Sequence, residues 1–415
     1  MHIGLNSGEY PQYPLGGAGA QVTNLARGLV REGHEVSVVG IYPPNRGLAG
    51  LIAERIDGVR VIRIPSAPQW MRRRPGLLWE RYQLSAQLRR LHREQPLDLF
   101  EFIDGRGFGV FGGPPGVALA VRLDGNVRIF DEAQGINESL FCYWMERRTL
   151  KNARFHAAPS QFARDAVQCL FGLAGRDCEI IYNAVDTDLF SPGSIEHVPG
   201  LIVCTNSIEP GKGVLEMIQA MNEIAASHPR ARLVFVGRDT RANAGGGTYS
   251  EWLLNQAKPE YRERITFIGQ VDRSAGVLEY LRKAAICCYP SRVETDGVAP
   301  LEAMAVGKPV ISGEAGPGPE LIEHGVSGLL CDALSPESIA AAVKRIFEEP
   351  GLADRLGRNA RERAVEKFAS DAWIDRNIEY YETSVAAHRK SCRRGILAHQ
   401  IGPALRPRDH AESQS

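Results

Sequence analysis

Two α/β domains, each built on a parallel sheet of the nucleotide-binding type and facing the other across a deep cleft, are what the chain predicts. Three observations lead there. The 415 residues exceed one ordinary domain and suggest two of about 200. The chain opens with a strand, a glycine loop, a helix and a second strand, HIGLN through EVSVVG. The same order begins afresh at GLIVCTNSIEPGKG and closes at RARLVFVG, at nearly the same spacing. A turn-forming stretch, DTDLFSPGSIEHVP at 186–199, lies between them and reads as a linker. Residues 1–185 and 199–370 are therefore expected as the two domains. Ligands bind at the carboxyl ends of strands in open parallel sheets, so the loops of both domains should face one cleft.

Composition excludes several classes. With 44% hydrophobic and 24% charged residues the chain is an ordinary globular sequence, and its 49 basic and 49 acidic side chains cancel. A neutral total gives no support for nucleic-acid binding. Eight cysteines are scattered without disulfide or zinc spacing, and the adjacent Cys287 and Cys288 sit in an apolar strand, so they read as small core residues in a reducing compartment. No apolar run approaches the roughly 20 residues needed to cross a bilayer, and MHIGLNSGEYP has no signal-peptide core. The expected location is the cytoplasm, with the inner face of the membrane as a further possibility.

In chain order, the first strand spans His2 to Asn6. The loop after it carries Gly16, Gly17 and Gly19 directly before a helix near Gln21 to Glu32. Glycines there let backbone approach a phosphate or a sugar, and a plain flexible turn would use the same residues. Residues 70–95 place aromatic, leucine and arginine side chains at helical spacing. That basic face suits an anionic membrane surface or a lipid-diphosphate, or simply water. Strands resume at LDLFEFI and GVALAVRLDG, the second ending on Asp124 ahead of Gly125, a common turn pair. The run from Leu140 to Val167 reads as helical.

In the second half, Lys212 lies in EPGKG, where an ammonium beside glycines can neutralise a phosphate. From Ala284 the pattern is strand ICCYP, polar loop SRVETDG, then an alanine-rich helix. Pro300 falls in the first helical turn, where a missing N–H costs nothing, and Gly297 precedes it. A helix N-terminus of this kind seats a phosphate. Glu294 and Glu302 bracket that seat and can reach opposite ends of a diphosphate-linked ligand, a geometry that suits a nucleotide sugar. A glutamate in a first helical turn also serves simply as a favourable charge on the dipole.

The stretch resembles the donor site of retaining glycosyltransferases of family 4, which have the GT-B fold. Two glutamates separated by seven residues, a glycine between them, EAMAVGKPVI and then GEAGPGPELIEHGVSGLL carry the match. The GGAG loop, the GHEV turn at 33–36, the APS strand end, IIYNAVDTDLFSPG and ITFIGQV resemble further segments of the family. The resemblance implies that Glu294 orients the donor sugar and that Lys212 and the amides near Gly297 and Val298 hold the diphosphate. It further implies that Glu302 holds the ribose, that Gly269 lies near the base, and that Gly16 and Gly17 form the acceptor-side loop. It implies a helix over 371–388 crossing back onto the first domain, followed by a flexible basic and polar tail at 389–415.

Two positions depart from the family. Where VRLHG is usual, the chain has Asp124 in VRLDG, and where an arginine precedes the lysine by five residues it has Ser207, after Asn206 in place of glycine. Arg238 or Arg292 can supply the missing charge. The expected activity is transfer of a sugar from a nucleoside diphosphate sugar, UDP- or GDP-linked, to a hydroxyl of a glycan or lipid-linked acceptor, with retention of configuration. No metal or other cofactor is required when cationic and backbone groups hold the diphosphate. An isomerase or phosphorylase on the same architecture, and a nucleotide-sugar binding protein without turnover, stay open. A dinucleotide dehydrogenase is disfavoured by the glycine spacing of GGAGA.

Overall fold

The computed structural model describes residues 1–12, 17–42, 48, 50–71, 74–124, 139–239, 247–292, 294–295 and 297–401. Gly16 lies outside them, and Gly17 is the first residue of the helix Gly17–Arg31. The first sheet contains β1 (His2–Asn6), β2 (Glu35–Tyr42), β3 (Ile52–Ile56), β4 (Val59–Pro65), β5 (Leu99–Ile103), β6 (Ala118–Arg122), β7 (Phe155–Ala158) and β8 (Glu179–Ile180). Their order is β3-β4-β2-β1-β5-β6-β7-β8, parallel except for the β3–β4 pair. The second contains β9 (Leu201–Cys204), β10 (Arg232–Val236), β11 (Ile265–Gly269), β12 (Ile286–Tyr289), β13 (Val310–Gly313) and β14 (Leu329–Cys331), ordered β11-β10-β9-β12-β13-β14 and parallel throughout.

These strands read as continuous apolar runs because helices cover both faces of each sheet. ICCY in β12 is wholly buried. Cys204, Cys287, Cys288 and Cys331 are buried and free, and burial pushes the Cys287 thiol up to about 12, so they act as small apolar core residues. The direction in which strands are added reverses at β1 in the first sheet and at β9 in the second, with β2 and β5 on opposite sides of β1 and β10 and β12 on opposite sides of β9. Crevices at such switch points, outside the carboxyl ends of the strands, are where ligands sit. The loops after β9 and β12 flank the second of them.

Residues 140–167 are not one helix. Helix Leu140–Asn152 ends at Ala153, β7 intervenes, and a new helix Gln161–Phe171 starts from the Ser160 cap, whose hydroxyl accepts from the Ala163 N–H. The alternating FHAA segment pairs with β6 and is buried, so tertiary pairing overrides local helical spacing. The last helix, Ser370–Ile401, crosses back onto the first domain and buries Trp373, Ile374, Tyr381 and Val385 against β1 and β2. It also runs past residue 388, where a flexible tail was expected, because RKSCRR contains good helix formers and Arg389 pairs with Asp98 at 2.6 Å.

Two chain segments pass between the domains side by side. The Val185 N–H donates to the Phe368 carbonyl at 2.9 Å, and Val185 forms a parallel bridge with Ala369. Arg361 then fixes the linker to the second domain, its Nη1 donating to the carbonyls of Thr187, Phe190 and Ala305.

Across the cleft, the Glu320 carboxylate accepts the N–H groups of Gln161 and Phe162 at 2.8 and 3.0 Å and the Tyr182 hydroxyl at 3.1 Å. It therefore caps a helix of the opposite domain, an anion on the positive end of a helix dipole. Glu320→Ala should open the cleft without unfolding either domain. Small-angle scattering is expected to give a larger radius of gyration with unchanged circular dichroism, and an unchanged radius would show that Glu320 does not hold the domains together.

Candidate active site

The loop after β9 meets the loop after β12 at backbone distance. The Arg292 N–H donates to the Gly211 carbonyl at 2.9 Å. Gly213 has φ +67, and a Cβ placed on it would lie 1.8 Å from the Pro290 carbonyl oxygen, so only glycine permits this approach. The consequence is a direct ion pair: Lys212 Nζ lies 2.7 Å from Glu294 Oε2, with both side chains largely buried. The two residues are 82 positions apart, and the contact exists because β9 and β12 are neighbours in the sheet.

Four residues beyond Glu294 the helix Val298–Ala305 begins, with Gly297 as its cap at φ +61. A Cβ there would fall 2.3 Å from Leu321 Cδ1, so glycine is required by both conformation and space. The first N–H groups of this helix have no intrahelical acceptor and point toward the carboxyl end of the sheet. A small hollow at this point is lined by Tyr289, Ser291, Glu294, Gly297 and Pro300. Glu302, one turn along, is buried, and Arg273 holds it with Nε at 2.6 Å from Oε1. Burial raises its carboxyl above the usual range, and the guanidinium opposes that shift. Arg273 was not singled out from sequence. It lies 29 positions before Glu302 in a segment, VDRSAG, that carries no motif of its own.

The remaining expected residues fall as follows. Gly269 ends β11 at φ +81 with open space beside it, and Val298 is buried at the start of the helix. The Ser207 hydroxyl donates to Glu209 at 2.8 Å within its own loop. Of the two arginines considered as replacements for the missing charge, Arg292 is paired with Glu216. Arg238 is exposed at the carboxyl end of β10, and its carbonyl accepts the Ile208 N–H at 2.9 Å, next to Ser207.

On the facing domain, Asp124 follows the end of β6. Thr295, the neighbour of Glu294, is buried and donates its hydroxyl to the Asp124 carbonyl at 3.0 Å, while its own carbonyl accepts the Ser160 hydroxyl at 2.8 Å. Asp124 and Glu294 are thus brought to one place from opposite domains. The residue is partly accessible as a whole, but its Oδ1 is enclosed without a hydrogen-bond partner among the described residues. Burial pushes its carboxyl up to about 6; Arg122 opposes the shift and Glu101 reinforces it. Such a value lies where proton exchange near neutrality is possible.

The basic face expected over 70–95 is divided. Arg81 points inward, with Nε and Nη2 donating to the Arg106 carbonyl at 3.1 and 2.8 Å, while Arg89, Arg90 and Arg93 are exposed toward the far end of the helix Arg74–Glu94. Arg74, at the near end, lies over the ring of Phe141 at 5.6 Å.

Comparison with known proteins accounts for this arrangement. The sequence model of glycosyltransferase family 4 matches residues 15–189, and that of the glycosyl transferases group 1 matches residues 187–363. The chain belongs to glycosyltransferase family 4. It is 26% identical over 392 residues to a glycogen synthase of Mycobacterium tuberculosis, covering 89% of this chain and 91% of the relative. It is also 26% identical over 357 residues to the GDP-mannose-dependent alpha-(1-6)-phosphatidylinositol monomannoside mannosyltransferase of the same organism, covering 81% of this chain and 86% of that one. The structure of Anabaena HepE in complex with UDP superposes with a TM-score of 0.70 at 19% identity, over 92% of this chain and 99% of that one. The two facing parallel-sheet domains are the GT-B fold, and the protein is a glycosyltransferase.

Because the folded carboxyl of Asp124 sits above its unfolded value of 3.8, its protonated form stabilises the fold, and that contribution is lost as pH rises through about 6. Asp124→Asn should therefore leave thermal stability near pH 4 unchanged and raise it at pH 8. Equal stabilities at pH 8 would show that the carboxylate is not buried at a cost.

Proposed function

We propose that this enzyme transfers a sugar from a UDP- or GDP-linked donor to a hydroxyl acceptor with retention of configuration, using no metal. The observation that carries the reading is the Lys212–Glu294 pair at the cap of the helix Val298–Ala305, beside the switch point of the second sheet. A diphosphate fits against the free N–H groups of that helix, with the Lys212 ammonium taking up the charge that develops as the glycosidic bond breaks. Lys212 then exchanges part of its bond to Glu294 for phosphate, and the released carboxylate oxygen accepts a donor-sugar hydroxyl. Glu302 accepts the ribose hydroxyls in the same manner, in exchange for Arg273. Gly269 lies by the base, and Arg238 serves in place of the family arginine, since Arg292 is paired with Glu216. One relative is named as GDP-mannose-dependent and the HepE structure holds UDP, which supports these two nucleotides.

In the displacement itself, the leaving diphosphate accepts the acceptor proton on the face where the new bond forms. Asp124 faces that reaction zone from the acceptor domain, where its charge favours an oxocarbenium-like state. The acceptor is a glycan or a lipid-linked sugar. Trp70, Leu140 and Trp144 are 80%, 83% and 52% exposed. They stand where the helices after β4 and β6 begin, on the cleft side of the first sheet, and Arg74 joins the two sites over Phe141. Aromatic side chains beside arginine suit the interface of an anionic membrane carrying such an acceptor.

Glu294→Gln and Lys212→Ala should each lower turnover at least about tenfold, the effect of losing ~1.4 kcal/mol of transition-state stabilisation. UDP or GDP should raise the melting temperature of the parent protein and raise it less in Lys212→Ala. Activity should persist in EDTA. Unchanged rates in both variants would remove the site assignment, and loss of activity in EDTA would remove the metal-free mechanism. Co-sedimentation with vesicles containing anionic lipid should fall in the Trp70→Ala, Trp144→Ala double variant; no binding by the parent would end the membrane proposal.

A further inference from the structure

We propose that Asn377, on the helix that crosses back to the first domain, is a positioning residue that acts through Arg122 on Asp124. The argument rests on the reading that Asp124 takes part in the reaction. Arg122 is the last residue of β6, two positions before Asp124. Its guanidinium is buried, with Nε and Nη2 donating to Glu101 Oε1 and Oε2 at 2.9 and 3.0 Å. Nη2 also donates to Asn377 Oδ1 at 2.5 Å and lies 3.3 Å from the Tyr381 hydroxyl. Asn377 is itself fixed at both ends, since its Nδ2 donates to the Trp373 carbonyl at 2.8 Å. Asn377 and Tyr381 are completely inaccessible to solvent.

The other arm of the guanidinium is uncommitted. Arg122 Nη1 is buried without a partner among the described residues, as is Asp124 Oδ1, and both residues line the same small, mainly apolar cavity with Asn6, Gln21 and Trp373. A cation and an acid thus share one enclosure without a direct bond between them. The bidentate grip of Glu101 and the amide oxygen of Asn377 hold the guanidinium on the β5 side. Released from Asn377, it can turn toward Asp124 and pair with it. The charged groups facing Asp124 are Arg122 from β6 and Glu101 from β5; the crossing helix offers the neutral Tyr381 hydroxyl, and the second domain offers the Thr295 hydroxyl. The crossing helix leaves the second domain at Ala369, beside the Val185 bridge, so its seating on the first domain couples domain position to the charge state at the acceptor side.

The test replaces the amide in two directions. Asn377→Leu removes the acceptor and keeps the size; Asn377→Asp adds charge that holds the guanidinium more firmly. The full-length protein is followed in two ways: hydrolysis of UDP-glucose and GDP-mannose as probes between pH 4.5 and 8, and thermal unfolding over the same range with and without Asp124→Asn. The midpoint of the transition that Asp124→Asn abolishes should move to lower pH in Asn377→Leu, by at least threefold in proton concentration, and to higher pH in Asn377→Asp. Tyr381→Phe should move it less, and it serves in place of Asn377→Leu if that variant does not fold. A midpoint lost with Asp124→Asn but unmoved by every crossing-helix variant would overturn the coupling. A kinetic transition that survives Asp124→Asn would instead overturn the role of Asp124 in the reaction, and the unfolding data would still show whether Asn377 governs its charge.

Discussion

One buried hydroxyl holds the site together. Thr295 bonds to Asp124 through its side chain and to Ser160 through its carbonyl, so the residue next to Glu294 is anchored at two points of the opposite domain. The candidate site draws on both sheets. The second contributes a helix end and a lysine; the first contributes the Asp124 carboxyl, which burial pushes up to about 6. Their relative position is set by a few polar contacts at the seam, in which Glu320 takes part; the Ser160–Thr295 bond is buried and strengthened by shielding from water, whereas the Gln161 N–H bond to Glu320 is exposed.

Around the candidate site, the charged side chains of the second domain pair with one another. Lys212 pairs with Glu294, Arg273 with Glu302 and Arg292 with Glu216. Pairing lets ionised groups stand in a largely buried crevice without a large desolvation cost. On the proposed donor site, ligand entry would be an exchange of partners, with net affinity set by the difference between a carboxylate and a phosphate as partner for the same cation. The two departures from the family pattern fit this economy differently. Ser207 is absorbed into its own loop through Glu209, whereas Asp124 adds an acid to the wall opposite the donor.

Much of this was legible in the sequence, for identifiable reasons. The apolar strands, the repeated opening units and the glutamate pair are local patterns, and Gly297 stands where a left-handed cap leaves no room for a Cβ. What stayed hidden depends on distance along the chain. Arg122 meets Asn377 across 255 positions, and Gln161 meets Glu320 across 159, with no periodicity to announce either pair. Arg292 looked available from its closeness to Glu294, but the loop turns it toward Glu216. The helical reading of 140–167 failed because β7 is set by its neighbours in the sheet. The tail beyond 388 was taken as loose on its charge, although its residues favour helix and Arg389 finds Asp98.

The paired crossing at Val185 and Ala369 has a mechanical consequence. Two strands tied by a backbone hydrogen bond at the same point resist sliding and twisting apart, yet each can flex at its peptide units. The two lobes are therefore joined by something close to a door hinge with a single axis. Rotation about it must stretch or break the bonds of Thr295 to Asp124 and Ser160 and of Glu320 to Gln161 and Phe162, so those contacts set how far the door stands open.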